Sequence, residues 1–189
     1  ASRILGKTNE TLIHLDHILD FEEVGTAVRY EKAVVLEITG HREESQDIYQ
    51  SLIQRFRAGL IRPGSDRLWV ALAMEALQQF HEANDLFRSV TQTNPQNAEA
   101  FVAWGNLLAG KYSPAEALSS YEDALSVDTN MPEAHLGIAR VLADYNPERS
   151  RLALSQALQV NPDFIDAHLF LAEQHIDTEQ YDLAQTQIS

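Results

Sequence analysis

The chain has 189 residues and a net charge of −14, with 44% hydrophobic side chains, 22% charged side chains and no cysteine. This composition is typical of a folded soluble protein, and it excludes disulfide bonds, thiolate metal sites and cysteine nucleophiles. The negative charge disfavours nucleic acid and anionic membranes as partners, and no apolar run reaches the ~18 residues of a membrane span. The compartment is left open between cytoplasmic and, if a signal was removed, exported.

The first 25 residues predict one amphipathic helix that belongs to no clear repeat. It covers residues 8–21, where apolar side chains recur at helical spacing: Leu12, Leu15, Ile18 and Leu19. His14 and His17 share one face of this helix. A metal site needs about three or four ligands, and no further ligand can be named, so no metal is expected.

From residue 26 onward the chain is built of repeats, and the last three intervals in each column of matching residues are 32 to 34 residues long. One column of small residues falls at Ala33, Ala73, Gly105, Ala139 and Ala172. A second falls at Ser45, Ala83, Ala117, Ser150 and Ala184, and four residues past each member lies a larger apolar one: Tyr49, Phe87, Tyr121, Leu154 and Ile188. A fixed period in this range predicts a repeat architecture.

Each repeat reads as helix–turn–helix, and no segment alternates with a strand period. In the clearest copy, Gly110 is expected to end the first helix, while Ser113 with Glu116 forms a capping box for the second. Proline is also expected at three later helix starts, Pro132, Pro147 and Pro162, and Asn146 is expected to cap the helix that Pro147 begins. We therefore predict an all-α chain with almost no β-structure.

The period and the aromatic, small and apolar positions resemble the tetratricopeptide repeat. The resemblance implies a right-handed α-α superhelix, a solenoid of stacked hairpins. The predicted boundaries are a degenerate repeat at 26–64, repeats at 65–97, 98–131 and 132–164, and a truncated repeat at 165–189. Two departures stand out: His135 and His168 replace the aromatic residue of the first helix, and Thr129 replaces a repeat-end proline.

In this family the first helix of each hairpin lines a concave groove, which implies a peptide-binding surface made of three columns. The middle column is apolar in every repeat, and the flanking columns become acidic toward the C-terminus. An alternative is that the apolar column only packs between helices. The implied groove residues are Tyr30, Val34, Arg67, Val70, Met74, Glu99, Val102, Asn106, Glu133, Leu136, Arg140, Asp166, Leu169 and Glu173.

The groove chemistry favours a protein or peptide ligand with apolar and basic side chains. The family's chaperone-binding members hold a carboxylate with basic residues, whereas Val102, Glu133 and Gly137 stand at the matching places here. We find no phosphate-binding loop, nucleophile elbow or converging polar site, so neither a cofactor nor catalysis is expected. The sequence predicts an interaction scaffold. The alternative is a recruiting or regulatory arm of a larger enzyme, such as a peptidase, kinase or glycosyltransferase. The open repeat ends also allow self-stacking.

Overall fold

The computed structural model describes residues 25–61, 64, 66–177 and 179–187. All regular structure in these residues is α-helical, which confirms the predicted fold class. The predicted helix at 8–21, with His14 and His17, lies outside the described residues, as does the side chain of Ala184. The helices are α1 (Thr26–Ile38), α2 (Arg42–Arg57), α3 (Asp66–Ala76), α4 (Phe80–Thr93), α5 (Ala98–Lys111), α6 (Pro114–Val127), α7 (Pro132–Leu142), α8 (Pro147–Val160), α9 (Ile165–Asp177) and α10 (Tyr181–Gln187).

Polar caps define several of these helix starts. The side chains of Ser113 and Asn146 accept hydrogen bonds from the backbone N–H groups of Glu116 (3.4 Å) and Arg149 (3.1 Å), as the sequence predicts. A third cap was not anticipated: Asn97 Oδ1 accepts from the backbone N–H of Ala100 at 3.1 Å. These bonds satisfy N–H groups that have no partner within the helix.

Two predicted helix ends differ from the structure. Gly110 lies inside α5, which continues through Lys111 and ends before Tyr112. Pro162 lies three residues before α9 rather than in its first turn, because Asn161 Oδ1 accepts from the Asp163 N–H at 3.2 Å. This turn around Asn161 delays the helix until Ile165, whereas Pro132 and Pro147 do begin α7 and α8.

The chain divides into two compact units, Ala1–Pro95 (unit 1) and Gln96–Ser189 (unit 2). Unit 1 contains the hairpins α1–α2 and α3–α4, and unit 2 contains α5–α6, α7–α8 and α9–α10. Within each unit, first helices of successive hairpins pack on one another. Among the described residues, second helices of successive hairpins have no Cα pair within 8 Å. In each unit the first helices of neighbouring hairpins are therefore packed together, whereas the second helices are separated from one another.

Tyr121 of α6 fills the centre of unit 2, between glycines of two neighbouring helices. A Cβ atom added at Gly105 of α5 would lie 2.6 Å from Tyr121 Cε1, and one at Gly137 of α7 would lie 2.5 Å from the same atom. Neither distance leaves room for a methyl group, so both α5 and α7 pack tightly against the phenol ring. The large Tyr121 side chain therefore fits only because Gly105 and Gly137 have no side chain.

The two histidines that replace an aromatic residue each bond the loop that precedes their helix. His135 Nε2 lies 3.0 Å from the carbonyl oxygen of Thr129, and His168 Nε2 lies 2.7 Å from that of Pro162. In both cases the carbonyl belongs to the residue six positions earlier. A phenylalanine at this position would fill space, but it could not donate this hydrogen bond.

His168 also lies 3.1 Å, through Nδ1, from Gln187 Oε1 in α10. Its pKa is raised above 6.5, chiefly because the Pro162 carbonyl and then the Gln187 side chain favour the protonated ring. A raised folded-state pKa means that the stabilisation is fully present below the unfolded value and is lost as pH rises through the folded value.

We expect unit 2 to lose stability as pH rises from below 6.5, the ordinary histidine value, through the higher folded-state pKa of His168. Replacement of His168 by phenylalanine should remove this part of the pH dependence. Urea unfolding of both proteins across that range measures the free energy of unfolding at each pH. The difference between the two curves removes the contribution of the other titrating groups, which both proteins share. Parallel stability curves for the two proteins would contradict the assignment.

Candidate functional site

The apolar middle column of the predicted groove is mostly buried. Val70, Val102 and Leu136 are buried between helices, whereas Tyr30 is half-buried and Leu169 is 45% exposed. Burial favours the packing interpretation for the first three, because a side chain without accessible surface contributes little to a ligand contact. Leu169 is the apolar member that remains available.

The flanking columns behave differently in the two units. In unit 1, Val34 and Arg67 are half-buried and Met74 is buried. In unit 2 every flanking residue is exposed: Glu99, Asn106, Glu133, Arg140, Asp166 and Glu173. The candidate surface is therefore the first-helix face of unit 2, formed by α5, α7 and α9.

A pocket of about 460 Å³ lies in this face. It brings together five residues that the sequence assigned to the groove: Asn106, Glu133, Leu136, Arg140 and Asp166. The other lining residues include Gly137, which the resemblance also placed in the groove, and Tyr121 and Phe164, which the sequence did not anticipate. Among the described residues, no cation pairs with the carboxylates of Glu133 and Asp166.

Two contacts orient the polar groups of this pocket. The Tyr121 hydroxyl donates to Asn106 Oδ1 at 2.8 Å, which leaves the amide nitrogen of Asn106 as a donor toward the groove. The guanidinium carbon of Arg140 lies 5.8 Å from the centroid of the Phe170 ring, a cation–π contact with α9. The pocket thus offers an oriented amide, a positioned guanidinium and two carboxylates.

Unit 1 uses its first-helix face for aromatic packing. The Tyr30 ring lies 5.7 Å from that of Tyr49 and 5.5 Å from that of Trp69, centroid to centroid. Burial raises the pKa of Tyr49 to about 12, and its hydroxyl donates to Glu37 Oε2 at 3.3 Å. Arg67 is similarly engaged, with its guanidinium carbon 5.7 Å from the Phe56 ring centroid. These contacts join the three helices and leave little surface for a ligand.

The described residues hold no group of three or more histidines and carboxylates able to bind a metal ion. None of their helices is both long and apolar enough to cross a bilayer.

Comparison with known proteins bears on the architecture. No family model matches the sequence, and no curated protein matches it. Solved structures do match: TTC0263 of Thermus thermophilus, a thermophilic TPR protein, is 18% identical, over 86% of this chain and 88% of that one, with a TM-score of 0.69. The chain has the tetratricopeptide-repeat fold.

Two further tetratricopeptide-type neighbours span nearly the whole chain. YrrB, a TPR protein with an unusual peptide-binding site, is 22% identical over 88% of this chain and 86% of its own, with a TM-score of 0.57. PilF of Pseudomonas aeruginosa is 16% identical over 98% and 83%, with a TM-score of 0.63. At these identities the likeness establishes the fold of the repeats and leaves their ligand to be argued from the site.

Proposed function

We propose that this chain is a non-enzymatic interaction module that binds a peptide with basic side chains on the first-helix face of unit 2. The observation that carries the proposal is the position of Glu133 and Asp166 at the pocket, exposed and without a cationic partner among the described residues. YrrB, a neighbour of the same fold, has a peptide-binding site. A lysine or arginine side chain of a ligand would supply the charge that the carboxylates lack.

The surrounding charges favour the same ligand. Four carboxylates line this face, from Glu99, Glu133, Asp166 and Glu173, against the single guanidinium of Arg140. The residues of unit 2 carry net charges of −4 over 98–131 and −6 over 132–189. This excess attracts a cationic peptide over distances up to about 10 Å, the screening length at 0.1 M salt.

Other groups of the pocket suit the peptide backbone and apolar side chains. The Asn106 amide nitrogen, held by Tyr121, is placed to donate to a peptide carbonyl group. Outside the pocket but on the same face, Leu169 of α9 offers accessible apolar surface in the helix that carries Asp166 and Glu173. We assign no reaction to this surface, because its carboxylates have no neighbouring nucleophile or base arranged for catalysis.

The test compares two labelled peptides, one of alternating alanine and lysine and one of alternating alanine and glutamate, by fluorescence anisotropy. We expect the lysine peptide to bind and the glutamate peptide not to bind. The variant Glu133→Lys with Asp166→Lys should weaken lysine-peptide binding roughly ten-fold, since two exposed attractions become repulsions worth about 1.5 kcal/mol.

The matched control is Asp123→Lys with Asp144→Lys, which makes the same change in net charge at exposed positions outside the first-helix face. It should reduce binding by much less. Equal losses for the two variants would show that net charge alone attracts the peptide, and equal binding of both peptides would refute the proposal.

A further inference from the structure

A second pocket lies on the opposite, second-helix side of unit 2. Its volume is about 920 Å³, and it lies where α6 and α8 have no Cα pair within 8 Å. His135 and Ile138 of α7 line it together with Ala153 of α8, and Leu152 and Val160 add exposed apolar surface. None of the groove residues belongs to this pocket, so a ligand here would be independent of the peptide surface.

His135 has a hydrogen-bonding atom that nothing in the described chain satisfies. The side chain is only 8% exposed, and its Nε2 lies 3.0 Å from the Thr129 carbonyl oxygen. A carbonyl only accepts, so Nε2 carries the hydrogen, and Nδ1 of the neutral ring is an acceptor. This Nδ1 is shielded from solvent and has no partner among the described residues. A buried unpaired acceptor is destabilising and calls for an explanation.

The next hairpin shows what satisfies the same atom. His168 occupies the repeat position of His135, with the same Nε2 bond to the residue six positions earlier. Its Nδ1 lies 3.1 Å from Oε1 of the Gln187 side chain in the second helix, α10, and this oxygen accepts a hydrogen bond from the protonated ring. The residue of α8 that corresponds to Gln187, counted from the helix starts at Pro147 and Tyr181, is Ala153. The hairpin α9–α10 thus has the carboxamide of Gln187 at this position, whereas the hairpin α7–α8 has the methyl group of Ala153 and an adjacent pocket.

We propose that this outer pocket binds a polypeptide segment that inserts a glutamine or asparagine side chain beside Ala153 to bond His135. The segment would take the place that α10 supplies through Gln187 in the following hairpin. A carboxamide suits this role because it both donates and accepts, and so it bonds the imidazole in either protonation state. A carboxylate only accepts and an ammonium only donates.

The rest of the pocket fits such a segment. Leu125, Leu152 and Val160 provide apolar contact on both sides of the entry point, and Gln156 and Gln159 offer polar groups for a backbone. The χ2 torsion of histidine is soft, so a small rotation of the ring turns Nδ1 toward an entering group. Arg149 and Glu122, which pair with each other, close one edge of the pocket.

The test uses capped glutamine (N-acetylglutamine methylamide) as probe and capped methionine as an apolar control of similar size. The full chain is labelled with ¹⁵N at histidine and at the backbone, and the His135 Nδ1 resonance is followed during titration. We expect capped glutamine to shift this resonance and the backbone amide of Ala153, and capped methionine to leave Nδ1 unchanged.

Two variants with side chains of equal length distinguish a hydrogen bond to His135 from simple filling of the pocket. Ala153→Gln should shift the His135 Nδ1 resonance without any probe and remove the response to capped glutamine, whereas Ala153→Met should remove that response without shifting Nδ1. His135→Phe, which copies Phe101 of the preceding hairpin, keeps the packing and should abolish the probe-induced shift at the Ala153 amide. No shift up to the solubility limit of the probe, or equal amide shifts with both probes, would overturn the proposal.

Discussion

Replacement of Gly137 by alanine is expected to destabilise unit 2 by up to about 2 kcal/mol, although alanine is the better helix former by about 1 kcal/mol. The new Cβ would meet the Tyr121 ring at contact distances that real structures do not show. The ring is also packed against Gly105 of α5 at a similarly close distance, which limits how far it can move. Overpacking of a closed site costs about 1–3 kcal/mol, which outweighs the gain in helix propensity.

Urea unfolding of the wild type and the variant measures this difference. The matched control is Gly110→Ala in α5, where a Cβ would meet no atom within 4 Å. This control should be neutral or stabilising by up to about 1 kcal/mol. Replacement of Tyr121 by leucine, the residue at the same repeat position in α8, should relieve the Gly137→Ala variant. Equal stability of the two alanine variants would mean that the ring is not held from both sides.

A larger loss is expected in unit 1 from Phe87→Ala. Phe87 is fully buried in α4, where it is the largest of the side chains with no accessible surface. Removal of such a ring costs about 3–5 kcal/mol through lost apolar burial and the cavity that remains. Small domains have a total stability of about 5–15 kcal/mol, so this variant removes a large fraction of what holds the unit together.

Each unit contains one tryptophan, so its unfolding can be followed separately. In a Trp104→Phe background, Trp69 fluorescence reports unit 1 during urea unfolding. The control is Leu60→Ala, which truncates a leucine that is 64% exposed in the same unit and should change stability by less than about 0.5 kcal/mol. Comparable losses for the two variants would show that burial at Phe87 does not determine the stability of unit 1.

The repeat was predictable from sequence because contacts between helices require small residues at regular intervals along the chain. Ala73, Gly105 and Ala139 recur at intervals of 32 and 34 residues, and all three are buried where only a small residue fits between helices. The capping residues Ser113 and Asn146 were predictable for a similar reason: the bonds they form are local, within three residues.

The exposure of the groove columns could not be predicted in the same way. Val102 and Leu169 hold equivalent positions, yet one is buried and the other is accessible. The difference depends on the rotation of each helix and on what packs beside it, which are tertiary properties. The contact of Gly137 with Tyr121 is also a tertiary property. One signal was present in the sequence: Tyr121 has a hydroxyl where the matching residue of α4 is Phe87, and this hydroxyl bonds Asn106 at the surface.

The Tyr121 side chain joins the interior of unit 2 to the surface that we propose as the peptide-binding face. Its ring is clamped between two helices, and its hydroxyl holds the Asn106 amide at the pocket. A ligand that bonds this amide would also hold the tyrosine, so part of the binding free energy would appear as resistance of α6 to separation from α5 and α7. The reverse follows by reciprocity: a substitution that loosens this ring weakens binding without touching the ligand. If the proposed face binds a peptide, the free energy of binding and the stability of unit 2 would be linked through the Tyr121 side chain.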